Sequence, residues 1–557
     1  MPIERLAAGT RSARARGRRR VRGHFGAPAA VTVALVLAAC SEPGTAPVPP
    51  NPQRPTAPEA PVVVSALRPI TVMPTDVRDP YGARVAALVH RGLMRYDVKG
   101  KAVPEVAESV QSDDDRVFVV KLRRAQAFST GEPITAKTFV NSWNWVANPV
   151  NRQAGAEELA PIAGWQQVRS GRVASGRTPT LNGLRAIDDL TLRITLTRPT
   201  RDFAGRLGRL AFVPLPEAAM TDHARFAASP VGNGPYRLEG DWRRRPYLSL
   251  VKNPMYRGDD VPRNDGLLLR YVTDPSSSYR ELRSGTLEVL EPIPLTALPT
   301  YRADLKLKAV NQPVGVTQSL AFPVRRAPWN TTSGLLLRRA ISQAIDRNGL
   351  IERYFAQTRQ RATDLAAPVV HGYSDGMCGE LCTRDNRKAR ANLVAAGGFT
   401  GPLRIAYSRD SDDAAWLRAL CDSITESLAI RCQPVPYPNQ ADYLTAIQSG
   451  AMTTPFVATT TMTTANLAGF LMPRFVAGSV FNDTGYAGPR VQALLAQGLR
   501  PDQDPLRPYL DAERQLLQDL PVIPLWTANA TGGVGENIEG FKFDVFGQPV
   551  YTELSRP

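Results

Sequence analysis

The sequence predicts an α/β fold with mixed β-sheets, built from several structural units. Strand and helix patterns alternate irregularly along the chain, without a repeat of fixed period. Strands are predicted near both ends, which suggests that the two ends meet in one sheet. The chain has 557 residues, enough for two or three units of roughly 150 residues each beyond an N-terminal leader.

Strands are predicted where apolar residues alternate with polar ones. Residues 115–122 show this alternation, and in residues 190–196 a leucine or isoleucine occupies every second position. Four more strands are expected next to predicted helices, at 286–290, 403–407, 430–435 and 522–526.

Helices are predicted where apolar residues recur every three to four positions between capping signals. Residues 274–284 begin with Asp-Pro and end before Gly285, and residues 504–520 begin in the same way and end before a proline. The longest predicted helix spans residues 333–355, and a further one spans 412–428.

The first 39 residues are predicted to be an export signal. Residues 1–26 contain eight arginines and one glutamate, and an uncharged, largely apolar run follows at 27–37. The run is shorter than the roughly 20 residues that span a membrane. It ends in Leu-Ala-Ala-Cys40, which resembles the lipobox of bacterial lipoproteins, so we expect cleavage before Cys40 and its lipidation. The alternative is an ordinary cleaved signal that contains a cysteine.

A flexible tether is predicted after the lipidation site. Residues 40–61 comprise Cys40 and a stretch rich in Pro, Ala and Thr, which lacks large apolar groups to pack. The formal net charge is +17, and the leader accounts for a large part of it. The remaining charge is scattered and forms no long basic helix, so no nucleic-acid partner is expected.

The four cysteines beyond the lipidation site suggest two disulfides, because an exported chain meets an oxidising compartment. Cys421 lies on the apolar stripe of a predicted helix, and Cys432 lies on the strand that follows. Cys378 and Cys382 would form the second pair within a glycine-rich loop. A metal half-site is the alternative for this second pair, although only His371 stands near it.

Two short motifs match catalytic signatures without the context that catalysis requires. Residues 372–376 match G-x-S-x-G, but they are predicted to form a loop, and no histidine follows Ser374. Residues 249–252 match S-x-x-K, but in a predicted strand the Ser and Lys face opposite sides. We therefore expect a protein that is not an enzyme, with no cofactor and no metal.

Several segments, in this order and spacing, resemble the extracytoplasmic solute-binding proteins of family 5, the peptide, dipeptide and nickel receptors of ABC importers. The resemblance runs from about residue 68 to the C-terminus, and these segments mark the scaffold, not the ligand. The segments are LVHRGLMRYD at 88–97, PEVAE at 104–108, FVVKLR at 118–123, FSTGEPITA at 128–136, VGNGPY at 231–236, KNPMY at 252–256 and RRAISQAIDR at 338–347.

The resemblance implies a periplasmic-binding-protein-like fold of type II, cluster C, in which two lobes close like a Venus flytrap over a solute. Two crossing strands would join the lobes, and an extra domain would be inserted in the first lobe. By analogy, lobe I takes residues 62–102, 206–318 and 516–557, the extra domain 103–205, and lobe II 319–515. The implied partners are an ABC permease and its ATPase.

The chain departs from the family pattern where peptide receptors carry an Asp that pairs with the peptide ammonium group. By alignment on Phe470-Leu471, Thr463 stands for that Asp and Thr460 for a nearby Trp. A hydroxyl cannot neutralise a buried ammonium. The threonine-rich loop either lines a polar, uncharged pocket or has no ligand role. The predicted pocket groups are Thr460, Thr463, Asn466 and Trp526.

The sequence thus predicts a monomeric lipoprotein on the extracytoplasmic face of the cell membrane that delivers an oligopeptide-like or other polar solute to an ABC importer. Two alternatives remain open. One is a sensor or scaffold lipoprotein that kept the fold but lost transport, and the other is an exported serine hydrolase whose activity would depend on Ser374.

Overall fold

The structure is a computed structural model that describes residues 60–77, 79–171, 179–272, 274–411, 413–479, 481–500 and 504–557. The predicted signal peptide and Cys40 lie outside the described residues. No helix in the described ranges is long and apolar enough to cross a membrane.

The strands of the described chain are mostly short, with two exceptions of 13 residues each. In order they are β1 Val62–Ala66, β2 Met94–Tyr96, β3 Ala102–Pro104, β4 Ala107–Gln111, β5 Val117–Leu122, β6 Leu184–Asp188, β7 Thr191–Thr195, β8 Tyr236–Leu238, β9 Tyr247–Lys252, β10 Gly266–Tyr271, β11 Val289–Leu290, β12 Ala309–Ala321, β13 Arg359–Arg361, β14 Leu403–Ser408, β15 Cys432–Tyr437, β16 Phe456–Thr461 and β17 Val522–Val534.

The α-helices are α1 Pro80–Val89, α2 Ala136–Ala147, α3 Trp165–Ser170, α4 Phe203–Arg206, α5 Glu217–Thr221, α6 His223–Ala228, α7 Pro275–Ser284, α8 Tyr301–Leu305, α9 Thr332–Ala344, α10 Arg347–Phe355, α11 Asn386–Ala395, α12 Ala414–Leu428, α13 Gln440–Gln448, α14 Leu467–Phe475, α15 Pro489–Gln497 and α16 Leu506–Asp519. Short 3-10 turns lie at Pro74–Asp76, Pro149–Asn151, Ala154–Leu159, Leu210–Phe212, Trp242–Arg244, Leu295–Ala297, Lys306–Lys308, Gly379–Cys382 and Tyr551–Glu553.

One mixed sheet of eleven strands runs through the described chain in the order β15-β14-β16-β12-β17-β11-β1-β10-β9-β8, with β13 paired to β17 beside this path. Strand β1 pairs in parallel with β11, which pairs antiparallel with β17. The two ends therefore meet in one sheet, as the sequence predicts. Two smaller sheets, β2-β3 and β4-β5-β7-β6, stand apart from it.

The long strands β12 and β17 lie in the middle of this sheet and pair antiparallel with each other. Their register is broken between Pro313 and Thr317, so the residues between them have no partner in β17. Within this break the Gly315 N–H donates to the Val545 carbonyl oxygen (2.7 Å), and the Gly315 oxygen accepts from the Met462 N–H (2.9 Å). A Cβ at Gly315 would collide with the Met462 side chain.

Separate apolar cores lie on the two sides of the β12–β17 pair. One packs strands β1, β9 and β10 against α1, and the other packs β14 and β17 against α9, α10 and α12. A third core covers the four-stranded sheet with α2. This two-lobed α/β architecture confirms the predicted fold class, because a sheet buries its apolar face against helices.

The first and the last described residues lie next to each other. The guanidinium of Arg556 donates to the carbonyl oxygens of Ala60 and Pro61, just before β1. It also forms an ion pair with Glu288 (2.9 Å) beside β11. The Arg556 side chain thus fixes the backbone at the start of the first strand.

Three predicted elements differ from the observed ones. The helix predicted over 333–355 is two helices, because Ile345 is extended and the Asp346 carboxylate accepts from the Gly349 N–H (3.1 Å), capping α10 anew. The strand predicted at 522–526 continues to Val534, since it pairs with strands of both lobes. The strand predicted at 286–290 is reduced to Val289–Leu290.

Both cysteine pairs are at disulfide distance. The Cα atoms of Cys421 and Cys432, on α12 and β15, are 4.9 Å apart. Those of Cys378 and Cys382 are 5.6 Å apart. No cluster of three or more metal-ligating side chains occurs within the described ranges.

Candidate ligand-binding site

A cavity of about 520 Å³ lies where β12 and β17 cross between the lobes. This volume is within the 300–1,000 Å³ typical of small-ligand sites. Its lining comes from both sides of the crossing strands. The lining residues include Tyr81, Glu291, Leu295, Val314, Gln318, Phe355, Arg359, Asp413, Trp416, Asn529, Phe543 and Phe546.

An aromatic cluster supports the second-lobe wall of the cavity. Trp416 and Phe355 line the cavity, and the ring of Trp526 packs behind both, with centroid distances of 4.9 and 5.0 Å. The Trp526 indole N–H donates to the Gln318 amide oxygen (2.6 Å), and the Gln318 amide nitrogen donates to the Asp413 carboxylate (3.3 Å). Trp526 thus orients polar groups that face the cavity, while it is itself fully buried.

Asp413 is the carboxylate of the second-lobe wall. It precedes α12, and its Oδ1 accepts from the Trp416 indole N–H (2.9 Å) as well as from Gln318. Its Oδ2 accepts from the Ser411 hydroxyl (2.7 Å). A carboxylate offers about four acceptor positions, so three donors fix Asp413 and still leave it able to accept from a ligand.

Arg359 is the cation of the same wall. Its Nη1 donates to the carbonyl oxygens of Thr358 (2.9 Å) and Asn529 (3.4 Å), and the guanidinium carbon lies 5.3 Å from the Phe355 ring centroid. Among the described residues, no carboxylate lies within 4.0 Å of this guanidinium. Burial lowers the pKa of Arg359, and the nearby Asp413 opposes that shift.

The first-lobe wall carries one carboxylate, which is already paired. Glu291 forms an ion pair with Arg84 and accepts from the Tyr551 hydroxyl (3.1 Å). Burial raises the pKa of Glu291, while Arg84 opposes that shift. The rest of this wall is largely apolar, with Leu67, Leu290, Ile293, Leu295 and Leu298 among its residues.

The predicted pocket residues do not meet in this cavity. Thr460 lines a separate cavity of about 20 Å³ within the second lobe. The Thr463 hydroxyl donates to the Gly469 carbonyl oxygen (2.9 Å), and the Asn466 Oδ1 accepts from the Gly469 N–H (2.9 Å). Both side chains serve the turn from β16 into α14. Their role in ligand binding stays a prediction, as does that of Trp526, which lies behind the wall.

Sequence reasoning missed Arg359 and Asp413. Asp413 falls inside the helix predicted at 412–428, as an acidic residue in its first turn, whereas the observed helix begins one residue later at Ala414. Arg359 lies in a short basic stretch without periodicity. Only the pairing of β13 with β17 brings Arg359 to the cavity. The G-x-S-x-G match lies in a loop, where the Ser374 N–H donates to buried Asp364 (3.1 Å).

Comparisons with known proteins agree with this architecture. Residues 101–466 match the sequence model described as bacterial extracellular solute-binding proteins, family 5 (middle). The oligopeptide-binding protein OppA of Bacillus subtilis is 20% identical over 501 residues, covering 85% of this chain and 88% of its own. The glutathione-binding protein GsiB of Pectobacterium atrosepticum is 24% identical over 484 residues, with coverages of 84% and 88%.

Solved structures share the fold. Burkholderia pseudomallei OppA superposes with a TM-score of 0.76 at 18% identity, covering 90% of this chain and 100% of its own. The Escherichia coli murein tripeptide binding protein MppA gives 0.75 at 20% identity, with coverages of 89% and 98%. The family consists of binding proteins, not enzymes, which confirms the predicted class of protein. The matched span exceeds half of the sequence, and the chain belongs to the bacterial extracellular solute-binding proteins of family 5.

Proposed function

We propose that this protein is the lipid-anchored solute receptor of an ABC importer, which captures a peptide-like or other polar solute between its lobes and delivers it to a permease. The observation that carries the proposal is the cavity of about 520 Å³ between the lobes, lined from both sides and crossed by β12 and β17. The names of relatives such as OppA and GsiB support a peptide-like solute.

The location of the cavity suits capture by closure. A register break in the crossing strands interrupts the continuous hydrogen-bond ladder next to the cavity, and hinges commonly use a few such residues to absorb a change in backbone angles. Closure removes the solute from water, so fixed charges such as Arg359 and Asp413 act at a lower effective dielectric. A permease and its ATPase then act on the closed form.

We propose the predicted boundaries for the parts of this receptor. The sheet β4-β5-β7-β6 lies wholly within residues 103–205 and is separate from the main sheet, which supports an inserted extra domain there. Lobe I takes residues 62–102, 206–318 and 516–557, and lobe II takes 319–515. Lipidation of Cys40 would hold the protein at the extracytoplasmic face of the membrane.

Ligand binding is tested by thermal shift and calorimetry on residues 58–557. The screen uses amino acids, di- to octapeptides, sugars, nucleobases and metal chelates, because a solute that binds only the folded state raises the melting temperature. Stabilisation by a peptide or another polar solute is expected. If no solute changes the melting temperature, the receptor proposal is wrong.

Transport and anchoring need separate readouts. Uptake of the identified solute should disappear on deletion of the gene and return with the wild-type gene. The full-length Cys40→Ser variant should bind the solute normally but leave the membrane fraction. Binding without any effect of the deletion on uptake would favour the sensor alternative. That alternative rests on Thr463, which stands where peptide receptors carry an Asp and whose hydroxyl donates to the Gly469 carbonyl oxygen.

A further inference from the structure

We propose that the cavity selects a compact zwitterionic ligand whose anionic group binds Arg359 and whose ammonium group binds Asp413. This inference rests on the proposed function, because it assumes that the cavity between the lobes holds the transported solute. It assigns recognition of the ammonium to the residue before α12, and not to the loop after β16 where Thr463 stands.

Charge balance in the cavity supports this ligand class. Of the three charged side chains in its lining, Glu291 is neutralised by its ion pair with Arg84. Arg359 and Asp413 remain without an ion-pair partner in the described part of the chain. A buried charge without a partner is costly, so a ligand that brings one charge of each sign would stabilise both groups.

The two groups lie on one wall with aromatic rings between them. The Phe355 ring lies 5.3 Å from the Arg359 guanidinium carbon and 6.4 Å from the Trp416 ring. The Trp416 indole N–H in turn donates to Asp413 (2.9 Å). The two charged groups of the ligand would therefore lie along this wall, one at each residue, and its apolar part can face the first-lobe wall.

Asn529 adds an independent observation. This residue is nine-tenths buried and lines the cavity, and its Oδ1 has no donor among the described residues. Its Nδ2 donates to Asn311 (2.9 Å), and its carbonyl oxygen accepts from Arg359. A buried acceptor without a donor is unfavourable. The oxygen has almost no exposed surface, so an N–H group of the ligand would satisfy it only after the side chain turns toward the cavity.

The polar groups are held in place before a ligand arrives. Three side-chain donors fix the Asp413 carboxylate, and two backbone carbonyls and an aromatic face hold Arg359. Because rigid groups lose little conformational freedom on binding, they add affinity and specificity. The second lobe would thus capture the charged end of the ligand first, and the first lobe would close over the apolar end.

The test uses calorimetry with residues 58–557 and three matched series of probes. The probes are leucine, leucyl-leucine, leucyl-leucyl-leucine and leucyl-leucyl-leucyl-leucine as free zwitterions, as N-acetyl acids and as C-terminal amides. In Arg359→Gln, affinity for the free zwitterion should fall roughly 10- to 100-fold, the range of a charge-assisted contact, while affinity for the amide stays unchanged. In Asp413→Asn, affinity for the zwitterion should fall similarly, and affinity for the N-acetyl acid should not.

Matched controls separate these effects from general damage. Arg353→Gln and Asp422→Asn change exposed charges on α10 and α12 and should leave all affinities unchanged. Leu295→Ala, on the first-lobe wall, should weaken all forms equally. If Arg359→Gln does not fold, Arg359→Lys keeps the cation and should retain a preference for the acid over the amide.

The outcomes distinguish this inference from the proposed function. Equal losses for the zwitterion and its blocked forms would overturn the charge assignment and leave the solute-receptor function intact. If the wild-type protein binds no member of the series but binds an uncharged solute, the zwitterion inference is wrong. If it binds no solute at all, both proposals fail.

Discussion

A buried pair of carboxyl groups, Asp364 and Glu513, should make the stability of the second lobe depend on pH. Neither side chain is exposed to solvent. Asp364 accepts from the N–H groups of Leu365 (2.7 Å) and Ser374 (3.1 Å), and the Glu513 Oε1 accepts from Ala366 (3.2 Å). The Glu513 Oε2 has no donor among the described residues. A proton on Glu513 allows this oxygen to donate to Asp364.

Burial and the neighbouring Asp364 raise the pKa of Glu513 well above its usual value. Burial also raises the pKa of Asp364, which the hydrogen bond from Glu513 opposes. A group with a raised pKa in the folded state holds a proton that the unfolded chain releases above about pH 4.3. Its contribution to stability is therefore complete below that pH and is lost as the pH rises through the folded-state pKa.

The perturbation is Glu513→Gln, which supplies a permanent N–H donor to Asp364 and keeps an acceptor for the Ala366 N–H. Satisfying a buried polar group is worth about 1–3 kcal/mol. For a chain of this length, that free energy corresponds to an increase of roughly 1–3 °C in melting temperature. The gain over wild type should be largest at pH 8 and smallest at pH 5.

The assay is differential scanning calorimetry of both proteins at half-unit steps from pH 5 to pH 8. Asp511→Asn serves as the control, because Asp511 lies on the same helix but is exposed and paired with Arg514. This control should follow the wild-type profile. A Glu513→Gln protein that is less stable than wild type by the same amount at every pH would refute the shared proton.

Three further changes test other parts of the structure. The double variant Cys421→Ser/Cys432→Ser should lose about 3 kcal/mol of unfolding free energy, as expected for a loop with a sequence separation of 11. Urea denaturation measures this loss, and identical denaturation curves for the variant and the wild type would contradict a disulfide here. Gly315→Ala should cost about 1–3 kcal/mol in the same assay, because its Cβ would overlap a buried methionine side chain, and an unchanged midpoint would show that the register break between Pro313 and Thr317 has room for a methyl group. Trp526→Phe removes the donor that orients Gln318 and should weaken binding of the identified solute by about 0.5–1.5 kcal/mol in calorimetry, whereas unchanged affinity would limit Trp526 to packing.

Local patterns predicted those elements that carry their own start and stop signals. Helix α7 begins after Asp274, whose carboxylate accepts from the Ser276 and Ser277 N–H groups, and it ends at Gly285 with φ +79°. These are short-range effects that neighbouring residues determine. The break at Ile345–Asp346 was missed because the apolar stripe continues through it, and only the packing of α10 and its new cap shows two helices.

The site was harder to predict because its residues are joined by the sheet and not by the sequence. Arg359 reaches the cavity through the pairing of β13 with β17, and Asp413 through its contacts with Gln318 of β12. The family resemblance indicated the loop after β16, but in this chain Thr463 and Asn466 are used to form the turn into α14. Non-local pairing of this kind leaves no periodic signal in a single sequence.

The pairing of β1 with β11, and of β11 with β17, also determines when the first lobe can be completed. In a chain made from its N-terminus, β1 appears first and β17 almost last. The edge of β11 that β17 will cover stays open until then, and unpaired strand edges favour association with other chains. Any partner that covers this edge until the C-terminal strand arrives would therefore lower the risk of such association.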